Sequence, residues 1–367
     1  RSTLDRSSAA SDVYKRQRNE NENKFVKGLM QSEMSISPVT EDIVSLGASA
    51  AAQILDEKDK KNIDMVIVGT ESGVDQSKAS AVFIHHLLNI QPFARCIEIK
   101  EACYGATAAL SFAKNYIEKN NDASVLVIAS DIARYGIDTP GESTQGAGSV
   151  AMLIKKDPAI AVINDENVCQ TRDIMDFWRP NYSDFPYVDG HFSTKQYLDC
   201  LTTTFEEYKK RYSQSLDDFD AFCFHLPFPK LGLKAINSIL EKNIKKEIKN
   251  DFLEKFHASI IYGKRVGNIY TGSLYLSLLS LLENCENLNG GDKIGMYSYG
   301  SGAVCEFFNL TLAEEFKNHL RCDRLNDFEN RKQLSMEEYE NMFFEKIVLD
   351  EEGNCDFSNN KFIQESD

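Results

Sequence analysis

One pattern restricts what this chain can fold into more than any other: strand-like and helix-like segments alternate, and the alternation runs twice. In the first run, "NIDMVIVGTES" (62–72), "ARCIEIKEA" (94–102), "ASVLVIASD" (123–131) and "GAGSVAMLIKKD" (146–157) are apolar enough for buried strands. Between and before them, "SPVTEDIVSLGASAAAQILDE" (37–57), "DQSKASAVFIHHLLN" (75–89) and residues 103–119 carry apolar positions at helical spacing. The second run has strands at 159–168 and 219–227 and a strand pair at 291–312 joined through glycines. Its helices are expected at 193–214, 230–243 and 271–285. Apolar strands alternating with helices imply a sheet covered on both faces, an α/β fold. The repeated order implies two related halves, 19–157 and 158–312. An acidic tail, 313–367, is expected to place "AEEFKNHLRC" and "SMEEYENMFFEK" as helices on the surface. The opening "RSTLDRSSAASDVYKRQ" is polar and aperiodic, so residues 1–18 are read as disordered or non-native.

Composition excludes several classes. No apolar run reaches the ~18–20 residues needed to span a bilayer; "GSLYLSLLSLL" (272–282) is too short. A net charge of −15 argues against a nucleic-acid surface, though not against an anionic ligand held by a local basic patch. The nine cysteines are scattered without a C-x-x-C pair, which fits neither a zinc nor a disulfide framework and suits a reducing cytoplasm.

The polar residues that stand at strand ends are the candidates for chemistry. Cys103 lies where a strand hands over to a helix. Unpaired amides at a helix start would stabilise a thiolate and hold an oxyanion, yet a cysteine is equally a small core residue. Glu71 ends an apolar strand; buried, it would be poised as a general base, and solvated, it is only a strand end. His225 follows an apolar strand before two prolines, a place that suits an aimed ring or a satisfied buried side chain. Asn268 lies in a glycine-flanked turn, and Ser301 lies in "GSG", where a backbone can approach a ligand. Lys230, Lys234, Lys264 and Arg265 could supply local charge for phosphates.

The motifs "IVGTESGVDQSKA", "QPFARCIEIKEACYGAT", "ASDIARYG", "STQGAGSVAM", "DFWRPN", "CFHLPFPKLG", "VGNIYTGSLYLSLLSLLEN" and "YSYGSGAV" stand in this order along the chain. In this they resemble the bacterial-type 3-hydroxy-3-methylglutaryl-CoA synthases of the thiolase superfamily. The resemblance implies a layered αβαβα fold and a condensation of acetyl-CoA with acetoacetyl-CoA in the mevalonate route. By the same resemblance, Cys103 is acylated, Glu71 is the base and His225 polarises the ketone. Asn268, Ser301 and Tyr135 line the acyl site, and Thr144 and Lys230 lie toward CoA. No metal or redox cofactor, a cytoplasmic homodimer and CoA thioester ligands are also implied.

Three departures stand out. A glycine-led apolar strand is expected ahead of Asn19, at the centre of the first sheet, and nothing like it is there. That strand is therefore expected to be missing and folding to suffer. The closing strands look short after residue 350. Gly105 stands where relatives tend to have alanine, so the pocket beside the thiol is expected to be looser. The competing readings are a ketoacyl synthase III-like enzyme, which lacks a carboxylate base at Glu71, and a non-catalytic CoA-binding scaffold.

Overall fold

The computed structural model describes residues 2–3, 8–10, 24–240, 244–348, 350–352 and 355. The expected helix end at 241–243 and most of 1–18 and 356–367 therefore lie outside the described residues. In chain order the strands are β1 (Ser2–Thr3), β2 (Ser8–Ala10), β3 (Met34–Ile36), β4 (Ile63–Gly69), β5 (Arg95–Ile99), β6 (Ser124–Ala133) and β7 (Gly146–Ile154). They continue as β8 (Ala161–Thr171), β9 (Phe177–Trp178), β10 (Tyr187–Val188), β11 (Ala221–Phe224), β12 (Lys293–Gly300) and β13 (Val304–Leu312).

Two sheets carry the fold. The first has the order β1-β7-β6-β4-β5, the second β11-β12-β13-β8. In each, one parallel pair (β4 with β6, β11 with β12) is extended by antiparallel neighbours (β7 then β1, β13 then β8). The second sheet thus repeats four places of the first, and β5 is an addition at the open edge.

Strand alternation sorts side chains between layers. On β4 and β6, Val66, Val68, Leu126 and Ile128 face the helices Ile43–Ala52 and Ser80–Leu87. Met65, Ile67, Val125 and Val127 face the helix Gly105–Lys119. On the second sheet, Phe222, Phe224, Tyr297 and Phe307 pack on the helices Gly190–Tyr212 and Pro229–Ile239. Ala221, Cys223, Ile294 and Met296 turn inward to the helix Ser273–Asn284. That inner cluster also takes in Ala106, Leu110, Ala129 and Val150 from the first half. The two central helices therefore share one core, giving five layers, α-β-α-β-α. Each fully buried Leu, Ile or Phe there contributes about 1.5–3 kcal/mol.

Local sequence sets the boundaries. Asp42 accepts from the amides of Val44 and Ser45, and the Ser45 hydroxyl accepts from the Asp42 amide, so the first helix starts later than residue 37. Each central helix begins two residues after a polar side chain, Cys103 before Gly105 and Thr271 before Ser273.

Several expectations are corrected. The centre of the first sheet is β7, β6 and β4, hydrogen-bonded without a break. Ser2–Thr3 pairs at its edge, against Val150 and Ser149. With Ser8–Ala10 paired to β3, residues 1–18 include two short strands and are not wholly without structure. The tail is not a surface appendage. Met336, Tyr339, Met342 and Phe343 of the helix Met336–Phe344 are buried with Met34 and Ile36, because apolar positions recur on one face. Arg324 and Phe328 are buried too; Arg324 holds Glu283 through two hydrogen bonds, at 2.7 and 3.0 Å. Two stretches to which the sequence pattern assigned no element form them: the helix Lys246–Ser259 and the β9–β10 hairpin.

Candidate active site

The C-terminal ends of β4 and β6 and the turn after β5 converge beneath the central helices. There the Cys103 thiol donates to Glu71 Oε1 at 3.3 Å. Ala102, just before the cysteine, is held at φ +40°, a left-handed conformation that alanine adopts at a cost of about 1–2 kcal/mol. Burial and the charge of nearby Asp131 push the Glu71 carboxyl up to about 8. Arg179, which donates to the Glu71 carbonyl at 2.6 Å, opposes that shift, as does the thiol's own hydrogen bond.

The expected thiolate cradled by a helix start is not what the geometry favours. The Tyr104 and Gly105 amides turn back to the carbonyls of Glu101 and Ala102, at 2.9 and 3.4 Å. Burial, then the charges of Glu71, Asp131 and Asp176, hold the Cys103 thiol well above its ordinary range. Below about pH 8 the resting pair is therefore a neutral thiol against a mostly protonated carboxyl, and burial with the acidic neighbours outweighs the partial charge of the helix end.

Asp131, fully buried on β6, organises this corner. It accepts from Thr70 Oγ1 (2.8 Å), the Glu71 amide (2.9 Å), the Thr271 amide (3.0 Å) and Thr271 Oγ1 (2.6 Å). Four donors mark an ionised carboxylate, and they tie the turn that carries Glu71 to the entry of the helix Ser273–Asn284.

An aromatic wall encloses the sulfur. Cys103 clusters with Tyr270, Tyr135 and Phe177, whose rings meet edge to face with centroids 5.9–6.2 Å apart. Asn268 donates from Nδ2 to the Tyr135 hydroxyl at 2.8 Å, and its Oδ1 accepts from the Tyr270 amide and Ser273 hydroxyl. Across the site, Gly300 lies so close to the nucleophile loop that a methyl there would stand 2.5 Å from the Glu101 carbonyl oxygen. Ser301 follows it in a turn that Asp176 anchors by accepting from the Gly302 amide at 2.9 Å. The Gly302–Ala303 peptide is cis.

His225 stands apart from this contact network. It follows β11 directly, its amide donating to the Tyr297 carbonyl, beside the strand that leads to Gly300. Burial drops its imidazole to about 3, so the ring is neutral. Its buried Nδ1 has no hydrogen-bond partner among the described residues. Thr144 uses its hydroxyl on the Gly141 carbonyl, while its own carbonyl accepts from the Asn268 amide. Lys230 is half-buried in the first turn of the helix Pro229–Ile239, and Lys234 is exposed. Lys264 is half-buried, with its carbonyl taken by Ser32 and Glu33. Arg265 is engaged by Glu33 and Glu329, which leaves it unsuited to phosphate.

Gly105 also corrects an expectation. A methyl on it would lie 2.8 Å from the Ile99 carbonyl oxygen, so its absence opens no space beside the thiol. Sequence reasoning gave no role to Asp131, Asp176, Phe177, Arg179, Tyr270 or Thr271, although all six stand inside the quoted motifs "ASDIARYG", "DFWRPN" and "VGNIYTGSLYLSLLSLLEN".

Two sheets around a shared pair of helices, with a thiol and a carboxylate meeting at the seam, define a thiolase-like condensing enzyme. The family models described as hydroxymethylglutaryl-coenzyme A synthase N terminal and C terminal match residues 8–159, and 162–251 with 234–361. A hydroxymethylglutaryl-CoA synthase of Enterococcus faecalis is 49% identical over 334 residues, covering 91% of this chain and 87% of the relative. A crystal structure of an HMG-CoA synthase complexed with CoA superposes with a TM-score of 0.93 at 56% identity, covering 97% of this chain and 94% of that one. Another synthase, solved with 3-hydroxy-3-methylglutaryl coenzyme A, reaches 0.83 at 30% identity over 94% and 92%. The chain belongs to the hydroxymethylglutaryl-CoA synthase family.

Proposed function

We propose that this synthase carries the acetyl group of acetyl-CoA on Cys103 and joins it to acetoacetyl-CoA, using Glu71 as base and His225 as ketone donor. The observation that carries the reading is the 3.3 Å contact from thiol to carboxylate. As the sulfur attacks the acetyl carbonyl, Glu71 in its ionised form, the minority form below about pH 8, takes its proton and passes it to the departing CoA sulfur. Glu71, again ionised, removes a proton from the acetyl methyl, and the enolate carbon attacks the acetoacetyl ketone. Neutral His225 donates a hydrogen bond to the oxygen as charge builds there, and the proton held by Glu71 ends on that oxygen, which restores the base and forms the hydroxyl. Water then cleaves the thioester, releasing HMG-CoA and the free thiol. A base at about 8 is matched to weakly acidic protons near neutral pH.

The aromatic wall of Tyr135, Phe177 and Tyr270 fits a small acyl group, with Asn268 fixing Tyr135. The Ser301 amide, in the turn against the nucleophile loop, is the candidate oxyanion donor. Thr144 and Lys230 are read on the CoA side. Residues 19–157 and 158–312 are read as duplicated halves, supported by the shared strand order. The open edge of β5, with Phe93 92% exposed beside it, suits pairing with a second copy in a homodimer. Among the described residues no helix is long and apolar enough to cross a membrane, and a cytoplasmic place feeding the mevalonate route is proposed with the rest.

Intact-mass measurement after mixing with acetyl-CoA tests the core of this. A +42 Da adduct, about the mass of one acetyl group, is expected on Cys103, and CoA release should follow when acetoacetyl-CoA is added. Failure to acylate Cys103 would overturn the proposal. Acylation followed by turnover only with a malonyl thioester would favour the ketoacyl synthase reading.

A further inference from the structure

The loop that carries Tyr135 is held from behind by the C-terminal segment. The amides of Tyr135 and Gly136 both donate to one atom, Gln145 Oε1, at 2.7 and 3.3 Å. The other end of that amide, Nε2, donates to the Tyr339 hydroxyl at 3.0 Å. The hydroxyl in turn donates to Glu142 Oε1 at 2.9 Å, and Glu142 Oε2 accepts from the Asp138 amide at 2.7 Å. Tyr339, Gln145 and Glu142 are all buried, at 0, 3 and 1% exposure. One phenol therefore ties both ends of the 135–145 loop.

A small cavity of about 20 Å³ lies beside Gln145, lined among others by Ser35, Arg134, Tyr339 and Phe343. Without an acceptor for Nε2 the buried amide is left with an unpaired donor, which weakens the hold of Oε1 on the Tyr135 and Gly136 amides. The Tyr339 hydroxyl supplies the acceptor that fixes which way the amide faces.

We propose that Tyr339 is a positioning residue for the acyl pocket, setting the Tyr135 wall beside Cys103 through Gln145. This makes a residue of the C-terminal helix a determinant of which acyl group the site accepts. The inference rests on the reading of Cys103 as the acylated residue, but its first test does not.

That test is hydrogen–deuterium exchange on Tyr339→Phe. The Tyr135 and Gly136 amides should exchange at least about tenfold faster than in the parent, the scale of one lost buried hydrogen bond. Met342→Leu, a packing change on the same helix, should leave them unchanged. The second test compares acetyl-CoA with propionyl-CoA as donors to Cys103. Tyr339→Phe should lower the acetyl-to-propionyl preference by about three- to tenfold, and should have no further effect in a Tyr135→Ala background. If Tyr339→Phe is insoluble, Gln145→Asn, which draws the amide one carbon back from the loop, is read in the same way. Unchanged exchange at Tyr135 and Gly136 overturns the inference whatever the enzyme does. Faster exchange with an unchanged donor preference overturns the specificity role. Faster exchange in a protein that never acylates Cys103 refutes the proposed function instead.

Discussion

Residues on either side of the nucleophile should respond to glycine–alanine exchange with opposite sign. At Gly105 an added methyl would stand 2.8 Å from the Ile99 carbonyl oxygen. Carbon–oxygen contacts normally begin near 3.3 Å, so about 0.5 Å must be found. The obstruction is backbone, at the end of a strand that pairs with β4, and it cannot swing aside. Overpacking of this kind costs about 1–3 kcal/mol, less about 0.5–1 kcal/mol recovered from the stiffer unfolded chain. At Ala102 the sign reverses. Glycine removes about 1–2 kcal/mol of left-handed strain and loses about 0.5–1 kcal/mol to unfolded-chain entropy, a net gain of up to about 1.5 kcal/mol. At ~2.1 cal/mol/K per residue, 1 kcal/mol moves the melting midpoint of a chain this long by about 1.3 °C. Gly105→Ala should therefore melt up to about 3 °C lower and acquire its acetyl adduct more slowly. Ala102→Gly should melt no lower and acylate faster, because the loop carrying the sulfur is relieved. The assay is a thermal melt paired with the rate of adduct formation by intact mass. A Gly105→Ala protein as stable and as quickly acylated as its parent would refute the reasoning.

The remaining predictions concern charge. Glu71, raised to about 8, stays protonated in the folded protein where the unfolded chain has already ionised. Its burial should thus cost stability as pH climbs from about 4.5 to about 8. Glu71→Gln should melt increasingly above the parent across that window while losing turnover, and parallel melting curves would contradict this. His225 has the reverse sign: lowered to about 3, it binds a proton less readily folded than unfolded. Stability should fall as pH drops below about 6.5, and His225→Asn should flatten that limb of a pH–melting profile. Asp131→Asn turns an amide N–H₂ toward donors, two of them fixed backbone amides, and should cost about 1–3 kcal/mol in chemical denaturation along with acylation rate. Arg324→Ala strands the buried Glu283 carboxylate and should cost about 3–5 kcal/mol, although it touches nothing near the sulfur.

The layered fold was legible because strands buried on both faces are read directly as apolar runs, and "MVIV" and "VLVIAS" admit few other places. The tail was not. Its acidic composition hid Met336, Tyr339, Met342 and Phe343, which bury only because β3 offers them a matching face. Strand ends pointed to Cys103 and Glu71, and the folded chain brings these two into contact. The ionisation of that pair could not be read from the chain, since it depends on Asp131 and Asp176 arriving from distant segments. Arg265 likewise looked available until Glu33 and Glu329, far off in sequence, were found against it.

The two helix entries at the seam carry different side chains: a thiol at Cys103 and a hydroxyl at Thr271 that grips Asp131. The residues that hold the sulfur's surroundings in place thus come from stretches some 140 positions apart, so a change at Thr271 is felt at Glu71 through the one aspartate both amides share.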